Sequence, residues 1–366
     1  MALQIGIVGL PNVGKSTLFN ALTRAEAAVA AYPFTTIEPN RGVVPVPDPR
    51  LEMLAAMVEP ERVTPATVEF VDIAGLVRGA HQGEGLGNQF LGHIRDVDAM
   101  ALVCRCFPDP DVAHVEGTID PVRDLEVLDL ELILADLEVL ERRIERVCSM
   151  AKARPRDQAA ELEALEELRA RLQAGERAAV WQGAGAIEAA LAHEMRLLTA
   201  KKRVYVANVS EESLPYGGPL AGEISRVAEG EGALSVTLCA QLEAELSEWP
   251  PDEAAAYRVE VGLERSGLER LAQAGYKVLH LITFFTIVGG REVRAWAVPQ
   301  GTKAAQAAGK VHTQMEQGFI RAEVVRFEQL VEAGDWHTAR ERGTLRIEGR
   351  DYEIQNGDVC LFRFAS

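Results

Sequence analysis

The sequence has few cysteines and no long apolar run. No stretch approaches the roughly 20 apolar residues that a transmembrane helix needs. The first predicted strand starts so close to the first residue that we expect no signal peptide. The five cysteines are scattered and odd in number, and we expect Cys104 and Cys106 to be small core residues of a buried strand. A cytoplasmic protein without membrane contact is predicted.

Basic residues are also in deficit. The chain has 38 Lys and Arg against 55 Asp and Glu, a net charge of −17, which argues against a surface that generally coats nucleic acid. Residues 278–366 hold eleven basic and eleven acidic residues, so the excess acidity lies in residues 1–277. Any RNA contact is therefore expected from the C-terminal segment or from local basic patches such as residues 152–156.

The residues from Gly9 to Thr17 satisfy the pattern G-x-x-x-x-G-K-[ST]. An apolar strand pattern precedes them and a helical pattern follows, an order that turns backbone N–H groups and the positive end of a helix toward phosphate. Lys15 can reach the β- and γ-phosphates, and the Ser16 hydroxyl can bind Mg²⁺. The predicted phosphate-binding residues are Asn12, Val13, Gly14, Lys15, Ser16 and Thr17.

Strand and helix patterns alternate in the first half of the chain, which predicts an α/β domain with a mostly parallel sheet over residues 1–276. The predicted strands lie near residues 3–8, 42–46, 67–72, 99–106, 203–207 and 234–238, and predicted helices near 86–97 and 219–229.

Residues 123–200 interrupt this alternation. They begin with Leu, Glu and Arg at helical spacing on either side of a basic, proline-containing turn. We interpret them as an inserted antiparallel coiled-coil hairpin that projects from the domain. A pair of ordinary core helices is the alternative, which the narrow apolar seam and the high charge density disfavour.

Residues 278–366 have the texture of a separate α+β domain. A strand from Val278 to Val288, a Gly289-Gly290 turn and a strand from Val293 to Val298 form a β-hairpin pattern. A helix is predicted near 303–316, with apolar segments near 323–327 and two short strands within 343–353.

Two further segments carry residues that could complete a nucleotide site around the phosphate loop. Asp72 ends an apolar strand and begins the pattern D-x-x-G, so it can hold Mg²⁺ through water while the N–H of Gly75 contacts the γ-phosphate. Thr36, in the segment PFTTIEPN, can add a second hydroxyl to Mg²⁺ when a triphosphate is bound. A simple Pro- and Thr-rich turn remains the alternative for this segment.

Together the motifs GLPNVGKST, PFTTIEPN and DIAGLV resemble those of translation-factor-class P-loop proteins of the Obg-related group. Within it the sequence closely resembles the YchF-type, or Obg-like, ATPases along essentially its whole length. The segments VRAW, AGKVH and GFIRA of residues 278–366 resemble a TGS domain. The resemblance implies a monomeric, Mg²⁺-dependent ATPase with links to ribosomes and stress responses.

The chain differs from ordinary GTPases at two points: the residues that recognise the nucleotide base and the residue that orients the attacking water. Guanine is usually read by N-K-x-D, where this chain has Asn208-Val209-Ser210-Glu211. The resemblance implies that ATP is preferred, with Asn208 and the Val209 backbone near adenine, while the Glu211 carboxylate leaves some use of GTP open. Leu76 follows D-x-x-G in place of a water-orienting Gln.

The resemblance nominates His114 as the group that orients or deprotonates the attacking water, with Lys15 stabilising phosphate charge. An ordinary loop histidine is the alternative. Two other functions stay open: a GTPase of translation, and an RNA- or ribosome-binding adaptor in which the nucleotide is structural. A metabolic kinase is less favoured because no acceptor site is evident.

Overall fold

The computed structural model describes residues 3–29, 40–73, 86–109, 117–151, 155–180 and 185–365. The chain divides into two compact units. The first comprises Met1–Ala25, Ile37–Gly42 and Glu69–Gly275, and the second Glu26–Thr36, Val43–Val68 and Tyr276–Ser366. The predicted α/β class with a mostly parallel sheet and a C-terminal α+β region is confirmed.

A six-stranded sheet is built around the first strand of the chain. Its order is β2-β4-β1-β5-β6-β7, and β4, β1, β5, β6 and β7 pair in parallel. The strands are β1 (Gln4–Val8), β2 (Arg41–Pro45), β4 (Thr67–Asp72), β5 (Ala99–Arg105), β6 (Lys202–Asn208) and β7 (Leu234–Leu238). The central strands are buried, as their apolar runs predict, and the Cys104 and Cys106 thiols are buried core groups.

Helices connect these parallel strands, as crossover connections require. They are α1 (Lys15–Val29), α3 (Leu86–Asp96), α4 (Pro121–Ala151), α5 (Pro155–Gln173), α6 (Ala186–Glu194) and α7 (Gly218–Gly230). Three more helices, α8 (Ala240–Leu246), α9 (Pro251–Glu260) and α10 (Gly267–Val278), follow the last strand, β7. None of the helices in the described ranges combines the length and apolarity needed to cross a membrane.

Helix α4 has different partners along its length. Near its start, Asp129 forms an ion pair with the buried Arg203 of β6 at 2.5 Å. Further along, Arg143 donates to Glu161 of α5 at 2.6 and 2.9 Å. The second half of α4 shares a separate apolar cluster with α5 and α6, formed by Ile133, Leu140, Ile144, Val147, Ala164, Leu165, Leu168, Leu172 and Leu191. Its first part is thus a core helix and its second part pairs with α5.

Asp136 joins α4 to the segment that enters β6. The fully buried carboxylate accepts hydrogen bonds from the backbone N–H of Leu198 and Thr199, both at 2.8 Å, and from the Thr199 hydroxyl at 2.7 Å. Burial raises the pKa of Asp136 while these donors act in the opposite direction. Three donors would lose their partner if the carboxylate were removed.

We therefore expect Asp136→Ala to lower the free energy of unfolding by about 3–5 kcal/mol, because buried donors would be left unpaired. Glu138→Ala, two residues along the same helix, is the matched control, since that partly exposed side chain forms an ion pair with exposed Arg142 and its loss should cost at most about 0.5 kcal/mol. Urea unfolding followed by circular dichroism measures both. Similar losses for the two variants would contradict the anchoring role.

The second unit contains another six-stranded sheet, ordered β11-β10-β12-β8-β9-β3. Its strands are β3 (Arg62–Thr64), β8 (Leu281–Val288), β9 (Glu292–Pro299), β10 (Phe319–Arg326), β11 (Arg346–Glu348) and β12 (Asp358–Phe364). Most pairs are antiparallel, but β3 joins β9 in parallel and β12 joins β8 in parallel. The accompanying helices are α2 (Pro49–Val58), α11 (Ala304–Val311), α12 (Thr313–Gln317), α13 (Phe327–Ala333) and α14 (Trp336–Glu341).

Several details of this unit differ from the sequence prediction. The hairpin strand begins at Leu281 rather than Val278, because α10 continues to Val278. The predicted helix over 303–316 is two helices separated at His312, whose extended backbone interrupts the helical hydrogen bonds. Within 343–353 only β11 is a strand, and Glu353 instead forms an isolated bridge to Lys303.

Candidate nucleotide-binding site

The phosphate-loop residues lie between β1 and α1, at the carboxyl edge of the parallel sheet. Such an edge is where open α/β sheets bind their ligands. A side chain at Gly9 would place its Cβ 2.6 Å from the carbonyl oxygen of Val103 on β5. Asn12 has a φ of +65°, a left-handed conformation that Asn tolerates better than most residues. The loop thus has a tightly constrained backbone.

Gly14 packs against the side chain of Asn208 from β6. Its φ is +94°, and a Cβ there would lie 2.2 Å from Asn208 Nδ2. The same amide nitrogen donates to the Val13 carbonyl at 2.9 Å, and the Leu18 N–H donates to the Gly14 carbonyl at 2.9 Å. The second glycine of the motif is therefore needed both for its backbone angle and for this close approach.

We expect Gly14→Ala to lower the free energy of unfolding by about 2 kcal/mol, because it adds backbone strain and a steric clash. Gly222→Ala is the control: this exposed glycine of α7 has open space around it, so alanine should stabilise the helix by up to about 1 kcal/mol. Urea unfolding of both variants makes the comparison. A stabilised Gly14→Ala protein would show that the loop does not need glycine here.

Lys15 is the first residue of α1, and its side chain is buried, with 8% of its surface exposed. Nζ donates to the Leu10 carbonyl at 2.8 Å, which holds the ammonium inside the curve of the loop. Burial lowers the pKa of Lys15 to about 8, with the negative charge of Asp72 opposing this shift. A desolvated ammonium in this position interacts strongly with phosphate oxygens.

Asp72 ends β4, next to β1, and is the anionic counterpart of Lys15. Burial raises its pKa, and the charge of Lys15 acts in the opposite direction. The buried Oδ1 has no hydrogen-bond partner among the described residues. Ser16, beside Lys15, is exposed.

These residues fit a magnesium site that is completed by phosphate and water. An unsatisfied buried carboxylate oxygen and a hydroxyl group are oxygen ligands of the type that Mg²⁺ prefers. In the parts of the chain that the structure describes, no cluster of three or more His, Cys, Asp or Glu side chains could hold a metal by itself. This composition suits Mg²⁺ with a nucleotide better than a preformed protein cage.

Asn208 links three parts of the site. Besides its bond to the Val13 carbonyl, its Oδ1 accepts from the Ala240 N–H at the start of α8, at 2.9 Å. The side chain is only 3% exposed. The structure thus places the predicted base-binding residue between the phosphate loop and the end of β7. The neighbouring Val209 donates its N–H to the Leu238 carbonyl at 2.9 Å.

Three contributors to this region were missed by the sequence prediction: Cys239, Ala240 and Tyr257. Cys239 and Ala240 follow β7 directly, as Val209 follows β6, and the ends of neighbouring parallel strands meet at one edge of a sheet. That strand order could have indicated them. Nothing in the sequence indicated Tyr257, whose hydroxyl donates to Glu211 at 2.5 Å from α9.

Four other predicted positions lie outside the described residues: Thr36, Gly75, Leu76 and His114. The basic turn at residues 152–154 lies outside them too. The described part of the site is the loop with its lysine, the aspartate at the end of β4, and the linked ends of β6 and β7. These features define a P-loop nucleotide-binding protein with the sheet of a GTPase-like domain.

Comparison with known proteins agrees with this class. Residues 4–140 match the family described as “50S ribosome-binding GTPase”, and residues 281–365 match the family described as “YchF-GTPase_C, protein of unknown function”. The “Ribosome-binding ATPase YchF” of Escherichia coli O157:H7 is 48% identical over the whole chain and 99% of its own length. The protein of the same name from Bacillus subtilis (strain 168) is 47% identical, with 100% of each chain covered.

A solved structure, that of the Schizosaccharomyces pombe YchF GTPase, matches with a TM-score of 0.88 and 33% sequence identity. The match covers 99% of this chain and 97% of the other. The chain belongs to the YchF family.

Proposed function

We propose that this protein hydrolyses ATP to ADP and phosphate with Mg²⁺ and that the bound nucleotide controls its association with the ribosome. The observation that carries the first part is the buried Lys15 ammonium, held inside the phosphate loop by the Leu10 carbonyl and acted on by the charge of Asp72. A loop of this kind is built to bind phosphate. The second part is supported by the relatives, which are named ribosome-binding ATPases.

Ser16, Thr36 and Asp72 would hold Mg²⁺, with Asp72 acting through water. When bound, Mg²⁺ neutralises charge on the β- and γ-phosphates. The backbone from Asn12 to Thr17 cradles the phosphates, Lys15 stabilises the charge that develops in the transition state, and the N–H of Gly75 contacts the γ-phosphate. Together these groups distinguish the triphosphate from the diphosphate, which is the basis of a switch.

His114 is proposed as the residue that orients or deprotonates the attacking water. Leu76 occupies the position at which many GTPases carry a Gln, and an aliphatic side chain cannot align water. An imidazole can do so near neutral pH. His114 lies outside the described residues, so its role rests on the family resemblance and on the chemistry of Leu76.

Adenine is proposed to bind where the ends of β6 and β7 meet the phosphate loop, near Asn208 and the Val209 backbone. The described contacts give Asn208 a positioning part there, because its amide joins the loop to the start of α8. Val209 replaces the Lys that packs along guanine in ordinary GTPases, and Glu211 replaces the Asp that reads it. Discrimination in favour of guanine is weakened by both changes.

The ribosome or its RNA is proposed to bind through the helical segment of residues 123–200 and the TGS-like domain of residues 278–366. The residue limits of these two segments, and those of the nucleotide-binding domain at residues 1–276, are likewise proposed. The C-terminal residues carry no net negative charge, which removes the electrostatic barrier to RNA that the rest of the chain presents. A cytoplasmic monomer is proposed, with a link to stress responses.

Co-sedimentation with ribosomes tests the switch. With purified ribosomes, the full chain should pellet to different extents in ATP, in ADP and without nucleotide. Binding that is indifferent to nucleotide would instead favour the adaptor, in which the nucleotide is structural.

A further inference from the structure

Glu211 stands three residues after Asn208, at the position of the guanine-reading carboxylate of ordinary GTPases, but it already has a partner. Its Oε1 accepts a hydrogen bond from the hydroxyl of Tyr257 at 2.5 Å. Glu211 is exposed and Tyr257 is half-buried. A carboxylate that reads guanine must direct its lone pairs at the base, so this contact bears directly on nucleotide choice.

The backbone beneath Glu211 is held in place. Glu211 begins a 3-10 turn, and its carbonyl accepts the Leu214 N–H at 3.0 Å. The Ser213 N–H donates to the Ser210 carbonyl at 3.1 Å, and the two serine hydroxyls lie 3.1 Å apart. The turn therefore presents the carboxylate from a defined position.

Tyr257 is anchored beside the same site. It lies on α9, where its side chain packs against an apolar cluster that includes Cys239. Its ring centroid is 5.5 Å from that of Trp249. Because Cys239 immediately precedes Ala240, whose N–H bonds to Asn208, the ring is fixed to the strand end that helps to form the base site. The hydrogen bond to Glu211 and the neighbouring acidic groups raise the pKa of Tyr257, which keeps the phenol a donor.

The two purine bases respond in opposite ways to a free carboxylate. Guanine offers its N1–H and N2–H groups as donors, whereas adenine has a lone pair at N1 and only a C–H at C2, because its amino group lies on C6, on the other side of N1. A carboxylate with free lone pairs attracts the first edge and repels the second. A donor that occupies the carboxylate removes part of both effects.

We propose that Tyr257 is a specificity-determining positioning residue that holds the Glu211 carboxylate away from the purine base and so suppresses guanine recognition. This inference rests on the proposed nucleotide site. It assigns the preference for ATP to a contact between α9 and the turn after β6, in addition to the missing Lys at position 209.

The test measures the dissociation constants of ribose-labelled fluorescent ATP and GTP for the full chain. In Tyr257→Phe the GTP affinity should rise relative to the ATP affinity by about 3- to 10-fold, the range expected for releasing one hydrogen bond. The Glu211→Ala background should abolish this change. Tyr216→Phe is the control, because Tyr216 follows the same turn and is 92% exposed; its ratio should stay that of the parent protein.

An unchanged ratio in Tyr257→Phe would overturn the inference. So would an equal change with and without Glu211, since that would assign the effect to ring packing. A parent protein that binds neither nucleotide would instead refute the proposed nucleotide site and this inference with it, whereas a parent that binds ATP and GTP equally would refute the suppression alone.

Discussion

Lys15→Ala is expected to weaken ATP binding at least about 100-fold while the protein stays folded. The ammonium is desolvated inside the loop, so it adds charge-assisted hydrogen bonds to phosphate in a place that solvent screens poorly. Removing it also leaves Asp72 without the opposing charge that favours its ionised form. Fluorescence titration with ribose-labelled ATP measures the change.

Lys202→Ala controls for the loss of one positive charge from the same domain. Lys202 is an exposed residue at the start of β6, the opposite end of the strand from Asn208. Its removal should leave the dissociation constant within about twofold, because exposed charges at a distance are screened. If Lys15→Ala bound ATP as tightly as Lys202→Ala does, the loop would not be the phosphate site.

His114→Ala is expected to reduce the turnover number for ATP by about 100-fold or more and to leave ATP binding almost unchanged. A group that acts on the attacking water contributes to the transition state but little to the bound ground state. Phosphate release gives the rate, and titration with labelled ATP gives the affinity. His193→Ala, an exposed histidine of α6, should change neither.

Equal losses of turnover and binding in His114→Ala would assign the residue to nucleotide binding or to folding. No loss in either would remove it from the mechanism. The attacking water would then be oriented by another group, since the side chain of Leu76 has no hydrogen-bond donor or acceptor.

Local patterns predicted most of the first sheet. All six of its strands fall within about two residues of the prediction, because buried parallel strands carry unbroken apolar runs bounded by turns. The second sheet was predicted less well. Helix α2 and strand β3 were missed, and β3 pairs with β9, more than 200 residues away along the chain. A pairing this distant has no signature in a three-residue segment.

In the candidate site, too, the local motifs were predicted and the contacts between residues remote in sequence were not. The loop, its lysine and Asp72 are local motifs attached to strands, and the structure brings them together at one sheet edge. Asn208 was predicted near the base, but its hydrogen bonds to the Val13 carbonyl and the Ala240 N–H were not, since both backbone groups are remote from it in sequence. Tyr257 reaches Glu211 across 46 residues for the same reason.

Competition between ATP and GTP for one labelled analogue tests the central claim most directly, namely that a GTPase-like sheet here holds an adenine nucleotide. Val209 and the Glu211 carboxylate, which accepts a hydrogen bond from Tyr257, are both proposed to disfavour guanine. ATP should therefore displace the analogue at a lower concentration than GTP does. Displacement by GTP at the lower concentration would contradict the account.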